Sequence, residues 1–206
     1  MSTRIKFCGL TRESDVDVAV SLGVDMLGLV FVPKSRRCVS IAHARVLRRK
    51  IPSSIQVVAL VMDAEATFVE EVVSHVKPDL IQFHGQENLA YCTQFGVPFM
   101  KAFAMGAGAE GSVLSRVKSW SSAYAVLFDG HGVGEVGGSG QRFDWSSLPT
   151  QLAVPFLLAG GLEAANVAEA IALANPWGVD VSSGIEQAPG IKDAQRMKEF
   201  VAAIRA

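Results

Sequence analysis

Short apolar runs alternate with amphipathic stretches along the whole chain, and this pattern predicts strands that alternate with helices. The strand-like runs are almost continuously apolar, which is typical of strands buried on both faces in a parallel sheet. Gly, Asn and Pro residues punctuate the boundaries between runs. The eight predicted strands cover residues 4–8, 25–32, 55–62, 79–83, 97–103, 123–128, 154–159 and 178–181.

Between these strands, apolar residues recur at the spacing of one helix face. In the third and the last predicted helix this face comprises Val69, Val72, Val73 and Val76, and Met197, Phe200, Val201 and Ile204. The predicted helices cover residues 14–22, 40–50, 64–76, 87–95, 162–174 and 193–205. The pattern is weaker over 104–122, where glycines at 106, 108 and 111 precede a short helix over 113–120.

Eight strands joined by crossover connections predict an α/β protein with helices outside a parallel sheet. Eight strands also suit closure into a (β/α)₈ TIM barrel, here a short one with a reduced fifth helix region. We expect residues 1–206 to form a single barrel domain. An open doubly wound sheet is the alternative, but no Gly-x-Gly-x-x-Gly links the first strand to its helix.

Composition and charge argue against several classes of function and location. A net charge of −1, with acidic and basic residues interspersed, predicts no nucleic-acid partner and no anionic membrane surface. No apolar run approaches the roughly 20 residues of a membrane span, and no leader is apparent. Three cysteines without metal-ligand spacing favour a reducing cytoplasm. The absence of heptads or a long apolar edge strand favours a monomer.

Chemistry in such a barrel lies at the carboxyl ends of the strands. A Gly-Gly turn follows strand seven and Ser-Ser-Gly follows strand eight, and both offer unhindered backbone N–H donors. Because barrels commonly bind phosphate in these two loops, a phosphate site is favoured over two ordinary turns. The polar or small residues at the strand ends are Cys8, Arg36, Arg37, Gln82, His84, Asp129, Gly160, Gly161, Asp180, Ser182, Ser183 and Gly184.

A loop unusually rich in glycine follows strand six, with glycines at 130, 132, 134, 137, 138 and 140. Ordering glycine costs conformational entropy, so such a loop is either flexible or shaped around a ligand. Asp129 stands at one end of this loop, and the aromatic pair Phe143 and Trp145 stands at the other. These flanking residues favour a loop shaped around a ligand.

Cys8 is either a small buried hydrophobic residue or a reactive thiol. Lys6 lies on the same side of the strand, so its ammonium would lower the thiol pKa from about 8.5 and favour a thiolate base. Asp129 alone could equally be a turn residue, and Arg36 and Arg37 a solvated pair. His84 is interpreted as a core or supporting histidine. His43, His75 and His131 show no partner spacing, and no cluster indicates a metal.

Six segments occur in order with consistent spacing: Lys-Phe-Cys-Gly-Leu-Thr at 6–11, Phe-Val-Pro-Lys-Ser-Arg-Arg-Cys-Val-Ser at 31–40, Gln-Phe-His-Gly at 82–85, Gly-Gly-Ser-Gly-Gln-Arg-Phe-Asp-Trp at 137–145, Gly-Gly-Leu at 160–162 and Asp-Val-Ser-Ser-Gly-Ile-Glu at 180–186. Together they resemble the phosphoribosylanthranilate isomerase family of tryptophan biosynthesis. The similarity runs from Lys6 almost to the C-terminus. The loop over 130–136, Val32 and Cys38 depart from the family's usual residues.

The resemblance implies a cofactor-free and metal-free Amadori rearrangement of a phosphorylated aminosugar, N-(5-phosphoribosyl)anthranilate, to 1-(2-carboxyphenylamino)-1-deoxyribulose 5-phosphate. It implies that Cys8 is the general base and must reach the thiolate. It also implies that Asp129 is the general acid and must begin protonated, or at least have a pKa raised toward the working pH. It places the anthranilate carboxylate on Arg37, with Arg36 in a variable position. The implied substrate-binding residues are Arg37, Gln82, Gly160, Gly161, Asp180, Ser182, Ser183 and Gly184.

Three alternatives stay open at this point. A histidine-pathway isomerase catalyses the same rearrangement, but that relative has an aspartate where Cys8 stands. A Schiff-base aldolase would use Lys101 on strand five as its nucleophile. A catalytically silent module would bind a phosphate ligand without turning it over.

Overall fold

Eight parallel strands close into a barrel in chain order, with the last strand hydrogen-bonded to the first. The computed structural model describes residues 3–106, 113–132, 140–148 and 152–206. The (β/α)₈ prediction is confirmed. The strands are β1 (Arg4–Cys8), β2 (Met26–Val30), β3 (Gln56–Val61), β4 (Leu80–Phe83), β5 (Phe99–Ala104), β6 (Ala125–Asp129), β7 (Phe156–Leu158) and β8 (Gly178–Val181).

Helices surround the barrel and connect most successive strands. They are α1 (Glu13–Ser21), α2 (Ile41–Lys50), α3 (Ala66–Val76), α4 (Leu89–Thr93), α5 (Val113–Val117), α6 (Val167–Ala174) and α7 (Ala194–Arg205). Helix α5 is short and runs into a 3₁₀ turn over Lys118–Trp120, as the weak pattern predicted. Between β6 and β7, the described residues contain one 3₁₀ turn, Trp145–Ser147. None of the helices in the described ranges is long and apolar enough to cross a membrane.

The sixth helix begins later than its apolar pattern predicted. Helix α6 starts at Val167, because the Asn166 side chain stabilises a turn before it. Asn166 Oδ1 accepts a hydrogen bond from the Glu163 N–H at 2.9 Å, and Asn166 Nδ2 donates to the Gly161 carbonyl at 2.9 Å. The turn separates the Gly-Gly pair from the helix, so the predicted start of this helix at residue 162 was wrong.

The barrel interior is apolar towards its amino-terminal end and polar at its carboxyl end. Inward-facing residues of β2 to β7 pack together in the amino-terminal part of the barrel interior. A larger cluster fills the space between the sheet and the helices. Cys8, Val30, Val32 and Leu60 form a separate small cluster. Because Cys8 and Val30 end their strands, this cluster forms an apolar wall at the level where polar groups begin.

Candidate active site

A cavity opens at the carboxyl ends of the strands, with about 630 Å³ of empty space that includes the open solvent at its mouth. It brings together nine of the ten residues predicted for the site. Gly184 does not line it, since its backbone packs tightly against the Leu162 carbonyl and leaves no room for a side chain. The lining residues are Cys8, Val30, Val32, Ser35, Arg37, Leu60, Met62, Gln82, His84, Asp129, Gly140, Ala159, Gly160, Gly161, Leu162, Asp180, Val181, Ser182 and Ser183.

Cys8 is held beside a buried ion pair. Lys6 lies two residues earlier on β1, and its Nζ donates to Asp180 Oδ1 of β8 at 2.9 Å. Burial opposes the charge on Lys6, but the Asp180 carboxylate outweighs it and raises the pKa of Lys6. The Cys8 carbonyl also accepts a hydrogen bond from Ser182 Oγ at 3.0 Å. These contacts tie the strand-one thiol to the loop after β8.

The expected lowering of the Cys8 pKa was wrong in its net direction. Burial raises the pKa of the Cys8 thiol, and the nearby Lys6 ammonium offsets only part of that effect. The Asp180 carboxylate raises the thiol pKa further. Cys8 is therefore a thiol at neutral pH. The sequence identified Lys6 as the neighbour, but it could not reveal that Asp180 engages the ammonium.

We expect Lys6→Met to raise the Cys8 pKa by at least about one unit, because it removes the charge that favours the thiolate. The measurement is a pH titration of thiolate absorbance in a Cys38→Ser background, since the Cys38 side chain is exposed. The double variant with Asp180→Asn should reverse part of the increase, since it removes the opposing carboxylate. An unchanged titration in Lys6→Met would show that the ammonium does not act on the thiol.

Asp129 ends β6 and faces two histidines. Its Oδ2 lies 3.2 Å from His131 Nδ1 and 3.6 Å from His84 Nε2. Burial raises the pKa of Asp129, but the two imidazoles outweigh it and the net pKa is lowered. Burial lowers the pKa of His84 to about 3, so that ring is neutral. Asp129 is thus ionised at neutral pH, and the expectation of a protonated acid was wrong.

His131 is the residue of this group that sequence reasoning missed. It follows Asp129 by two positions, which places both side chains on one side of an extended chain. The Gly106 N–H donates to the His131 carbonyl at 3.0 Å and the Met105 N–H to the Asp129 carbonyl at 2.8 Å, so the pairing of β5 with β6 continues past the strand ends. The spacing from the strand end was the available signal.

The ligand atoms of His84, Asp129 and His131 lie within 4.8 Å of one another and could hold a metal ion, a cluster that the sequence did not indicate. The two imidazole rings stack, with centroids 4.7 Å apart and planes 26° from parallel. Stacked rings direct their nitrogen lone pairs side by side, whereas a metal needs both to converge on one point. The arrangement therefore fits a shared proton better than a metal ion.

Arg37 is anchored by a residue far away in the sequence. Its Nε donates to Glu186 Oε1 at 2.8 Å, and its Nη2 donates to Glu186 Oε2 at 2.8 Å. Lys192 Nζ also donates to Glu186 at 2.8 Å. Burial raises the pKa of Glu186, but Arg37 and Lys192 outweigh it and the net pKa is lowered. A bidentate pair fixes the guanidinium plane at the pocket wall.

Glycine lets the backbone approach closely around the arginine and around the β7 loop. At Gly9 φ is +77°, and a Cβ there would lie 2.5 Å from Arg37 Cδ. Gly160 and Gly161 have φ of +88° and +63°, which residues with a side chain rarely adopt. A Cβ at Gly161 would lie 2.7 Å from the Gly140 carbonyl oxygen. The β7 turn thus presents its backbone to the pocket, next to Ser183.

A scan against family models matches residues 5–203 to the model described as N-(5'phosphoribosyl)anthranilate (PRA) isomerase. The chain belongs to this family. The N-(5'-phosphoribosyl)anthranilate isomerase of Stenotrophomonas maltophilia strain R551-3 is 49% identical over 203 residues, covering 98% of this chain and 93% of that one. The resemblance inferred from the six motifs is confirmed.

Solved structures of phosphoribosylanthranilate isomerases share the fold. The enzyme from Thermotoga maritima superposes with a TM-score of 0.88 at 33% identity, covering 98% of each chain. A second isomerase structure contains reduced 1-(o-carboxyphenylamino)-1-deoxyribulose 5-phosphate, and it matches with a TM-score of 0.82 at 29% identity over 98% of each chain. That ligand carries the phosphate and the benzoate carboxylate expected of the family's reaction.

Membership of the isomerase family agrees with the surroundings of Lys101, the nucleophile in the aldolase alternative. Lys101 Nζ donates to Glu87 Oε2 at 2.8 Å and to the Gly85 carbonyl at 2.6 Å. Its side chain does not line the cavity. A buried ammonium held by a carboxylate is a poor nucleophile, because it must lose both its partner and a proton. Lys101 is therefore a structural residue.

The two aromatic residues that follow the glycine-rich segment in the sequence lie outside the pocket. Trp145 is buried in the outer core, and Phe143 packs against the same cluster. Neither lines the cavity, so the pair does not form its edge, and a loop shaped around a ligand stays a prediction. The loop glycines at 134, 137 and 138, like those at 108 and 111, lie outside the described residues.

Proposed function

We propose that this pocket isomerises N-(5'-phosphoribosyl)anthranilate to 1-(2-carboxyphenylamino)-1-deoxyribulose 5-phosphate, a step of tryptophan biosynthesis. The observation that carries the proposal is the convergence of a thiol, a carboxylate and an arginine on one cavity beside a glycine turn. Cys8 is the proposed general base, and Asp129 the proposed general acid. We further propose that the chain works as a cytoplasmic monomer.

The proposed substrate orientation follows from its two anionic ends. Its phosphate is placed against the backbone of Gly160 and Gly161 and the Ser183 hydroxyl, where N–H donors are unhindered. Its anthranilate carboxylate is placed on Arg37, whose plane is fixed by Glu186. Holding both ends aligns the sugar with the acid and the base, which lowers the entropic part of the barrier.

The proposed chemistry is two proton transfers. Asp129 donates a proton to the ribose ring oxygen, which opens the ring and leaves a protonated Schiff base on the anthranilate nitrogen. The Cys8 thiolate then removes the proton from C2. The resulting enol-amine tautomerises to the ketone. These steps involve only protons and the substrate's own electrons, so the proposal includes no cofactor.

The directions of the two pKa shifts constrain when Cys8 and Asp129 can act. The thiol pKa is raised and the Asp129 pKa is lowered, so each group prefers the form opposite to its proposed role. When the base has a higher pKa than the acid, only a minority of molecules carries thiolate and acid together. Such an enzyme still has a bell-shaped pH profile. The profile bends at two pH values, here called its breaks. The lower break reports the pKa of the acid, and the upper break reports the pKa of the thiol.

Arg37→Ala should raise KM by about ten- to a hundredfold with a smaller change in kcat, because charge-assisted hydrogen bonds contribute about 1.5–3 kcal/mol. Glu186→Gln should raise KM less, since the guanidinium stays but loses its ionic anchor. Steady-state kinetics measures both. Arg36→Ala is the matched control, because Arg36 is exposed and does not line the cavity. An unchanged KM in Arg37→Ala would contradict the carboxylate contact.

The test of the proposed function is loss of substrate fluorescence on incubation with the purified chain, together with growth of an isomerase-deficient tryptophan auxotroph that expresses it. Turnover and growth are the expected results. Binding of the reduced product analogue without turnover would identify a silent binding module. Turnover of the histidine-pathway aminoaldose in place of the anthranilate substrate would favour the other isomerase.

A further inference from the structure

The side chains of His131 and Asp129 form a close, buried pair at the end of β6. His131 Nδ1 is 3.2 Å from Asp129 Oδ2, and both side chains are buried. His131 Nδ1 and His84 Nε2 make no aligned hydrogen bond in the described structure, although both lie near this oxygen. Catalytic hydrogen bonds are often long or poorly aligned before substrate binds. The distance between His131 Nδ1 and Asp129 Oδ2 is therefore short enough for a proton to pass between them.

His84 restricts where that proton can reside. Its ring stacks on His131 at 4.7 Å, so charge on one ring disfavours charge on the other. His84 has a pKa of about 3, with burial as its largest cause, and is neutral near pH 7. Its Nδ1 faces Gln82 Nε2 at 3.0 Å, which fixes the ring from the far side. Of the two imidazoles, His131 is the one placed to carry a proton next to the acid.

We propose, building on the proposed isomerase function, that His131 is a positioning residue that supplies the acid's proton: it passes a proton to Asp129, which delivers it to the ribose ring oxygen. In the first transfer the Nδ1–H bond of His131 breaks and an O–H bond forms on Asp129 Oδ2. In the second, that O–H bond breaks and the ring oxygen gains the proton. Asp129 is a carboxylate again, and His131 is neutral.

The cycle closes without any further reactant. The Cys8 thiolate takes the C2 proton and becomes a thiol, so the enzyme ends with one proton gained at sulfur and one lost at the histidine. Transfer of one proton from the thiol to His131 through solvent restores both groups. This scheme accounts for an acid whose own pKa is lowered, because the proton waits on the neighbouring ring.

The electrostatic surroundings of the pair are mixed in sign. The other charged or titratable groups near it lie on or directly after four strands: Lys6 of β1, His84 directly after β4, Lys101 of β5 and Asp180 of β8. Lys6 and Lys101 are each held by a carboxylate partner, Asp180 and Glu87. The two lysine charges are thereby largely balanced.

The experiment is the pH profile of kcat/KM for the wild type, His131→Asn and His131→Gln. The His131 imidazole lowers the pKa of Asp129, whereas burial raises it. Both variants should therefore move the lower break, which reports Asp129, to higher pH, and loss of the proton supply should lower the plateau by at least about tenfold. The upper break, which reports Cys8, should stay. His75→Asn on the exposed face of α3 is the control and should change nothing.

A second readout separates proton supply from a packing role. Added imidazole should restore turnover to His131→Ala at pH values where neutral and charged imidazole coexist. A uniform loss with unmoved breaks and no rescue would overturn the proposal and assign His131 to packing. If Cys8→Ser and Asp129→Asn keep normal turnover, the proposed function itself fails. If they lose turnover while the His131 variants keep the wild-type profile, only the relay fails.

Discussion

Asp129→Asn is expected to lower kcat by at least about a hundredfold, because positioned proton transfer contributes about 10²–10⁴ in rate. An amide has the shape of the carboxyl group but cannot donate a proton to the ribose ring oxygen with comparable acidity. KM should change little, since Arg37 and the glycine turn carry the proposed binding contacts. Steady-state turnover of the anthranilate substrate over a range of pH measures both quantities.

The matched control for this variant is Asp144→Asn, because Asp144 is exposed and caps a 3₁₀ turn. Asparagine caps helices about as well as aspartate, so this control should fold and turn over normally. If Asp129→Asn kept near-normal kcat, the acid would have to be another group. A fall seen equally in both variants would point to general destabilisation of the β6–β7 connection.

Cys8→Ser is likewise expected to lower kcat by at least about a hundredfold, because a serine hydroxyl ionises far less readily than a thiol. The sign of the pH dependence supports this test. Burial raises the thiol pKa, so below that pKa the thiolate fraction in the wild type increases as pH rises. The serine variant should lack the upper break in its pH profile, because the group that produces it is gone.

Cys38→Ser is the control for the thiol, since Cys38 is exposed and does not line the cavity. Cys92 is less suitable because it is buried in the core, and burial raises its pKa to about 12. Normal turnover in Cys8→Ser would exclude the thiolate as base. A preserved upper break would show that another group ionises there.

Much of the fold was predictable because apolar residues recur at different spacings in strands and in helices. The near-continuous apolar run after Asp25 has no polar face, and only a strand buried on both sides of a barrel uses such a run. Helix boundaries were less predictable, because side chains compete locally with the backbone. Asn166 forms a turn that delays α6, and the apolar spacing continues through that turn without a break.

The position of the candidate site was predictable for a topological reason. Parallel strands end at one rim, so Cys8, Gln82 and Asp129 had to lie near one another once the strands were assigned. The anchor of Arg37 was not predictable, since Glu186 is 149 positions away and no local pattern links them. The pKa values of Cys8 and Asp129 could not be predicted from the sequence either. Burial has the largest effect on both, and burial depends on the folded structure.

The ties between Arg37 and Glu186, and between Lys6 and Asp180, have a consequence for synthesis of the chain on the ribosome. Each joins a residue of the first two strand–loop units to a residue at or just after β8. A nascent barrel that lacks β8 and the residues after it therefore holds the Lys6 ammonium and the Arg37 guanidinium without their counter-ions. Substrate recognition should be acquired only after residues 180–186 have been synthesised and have joined the barrel, in one late step.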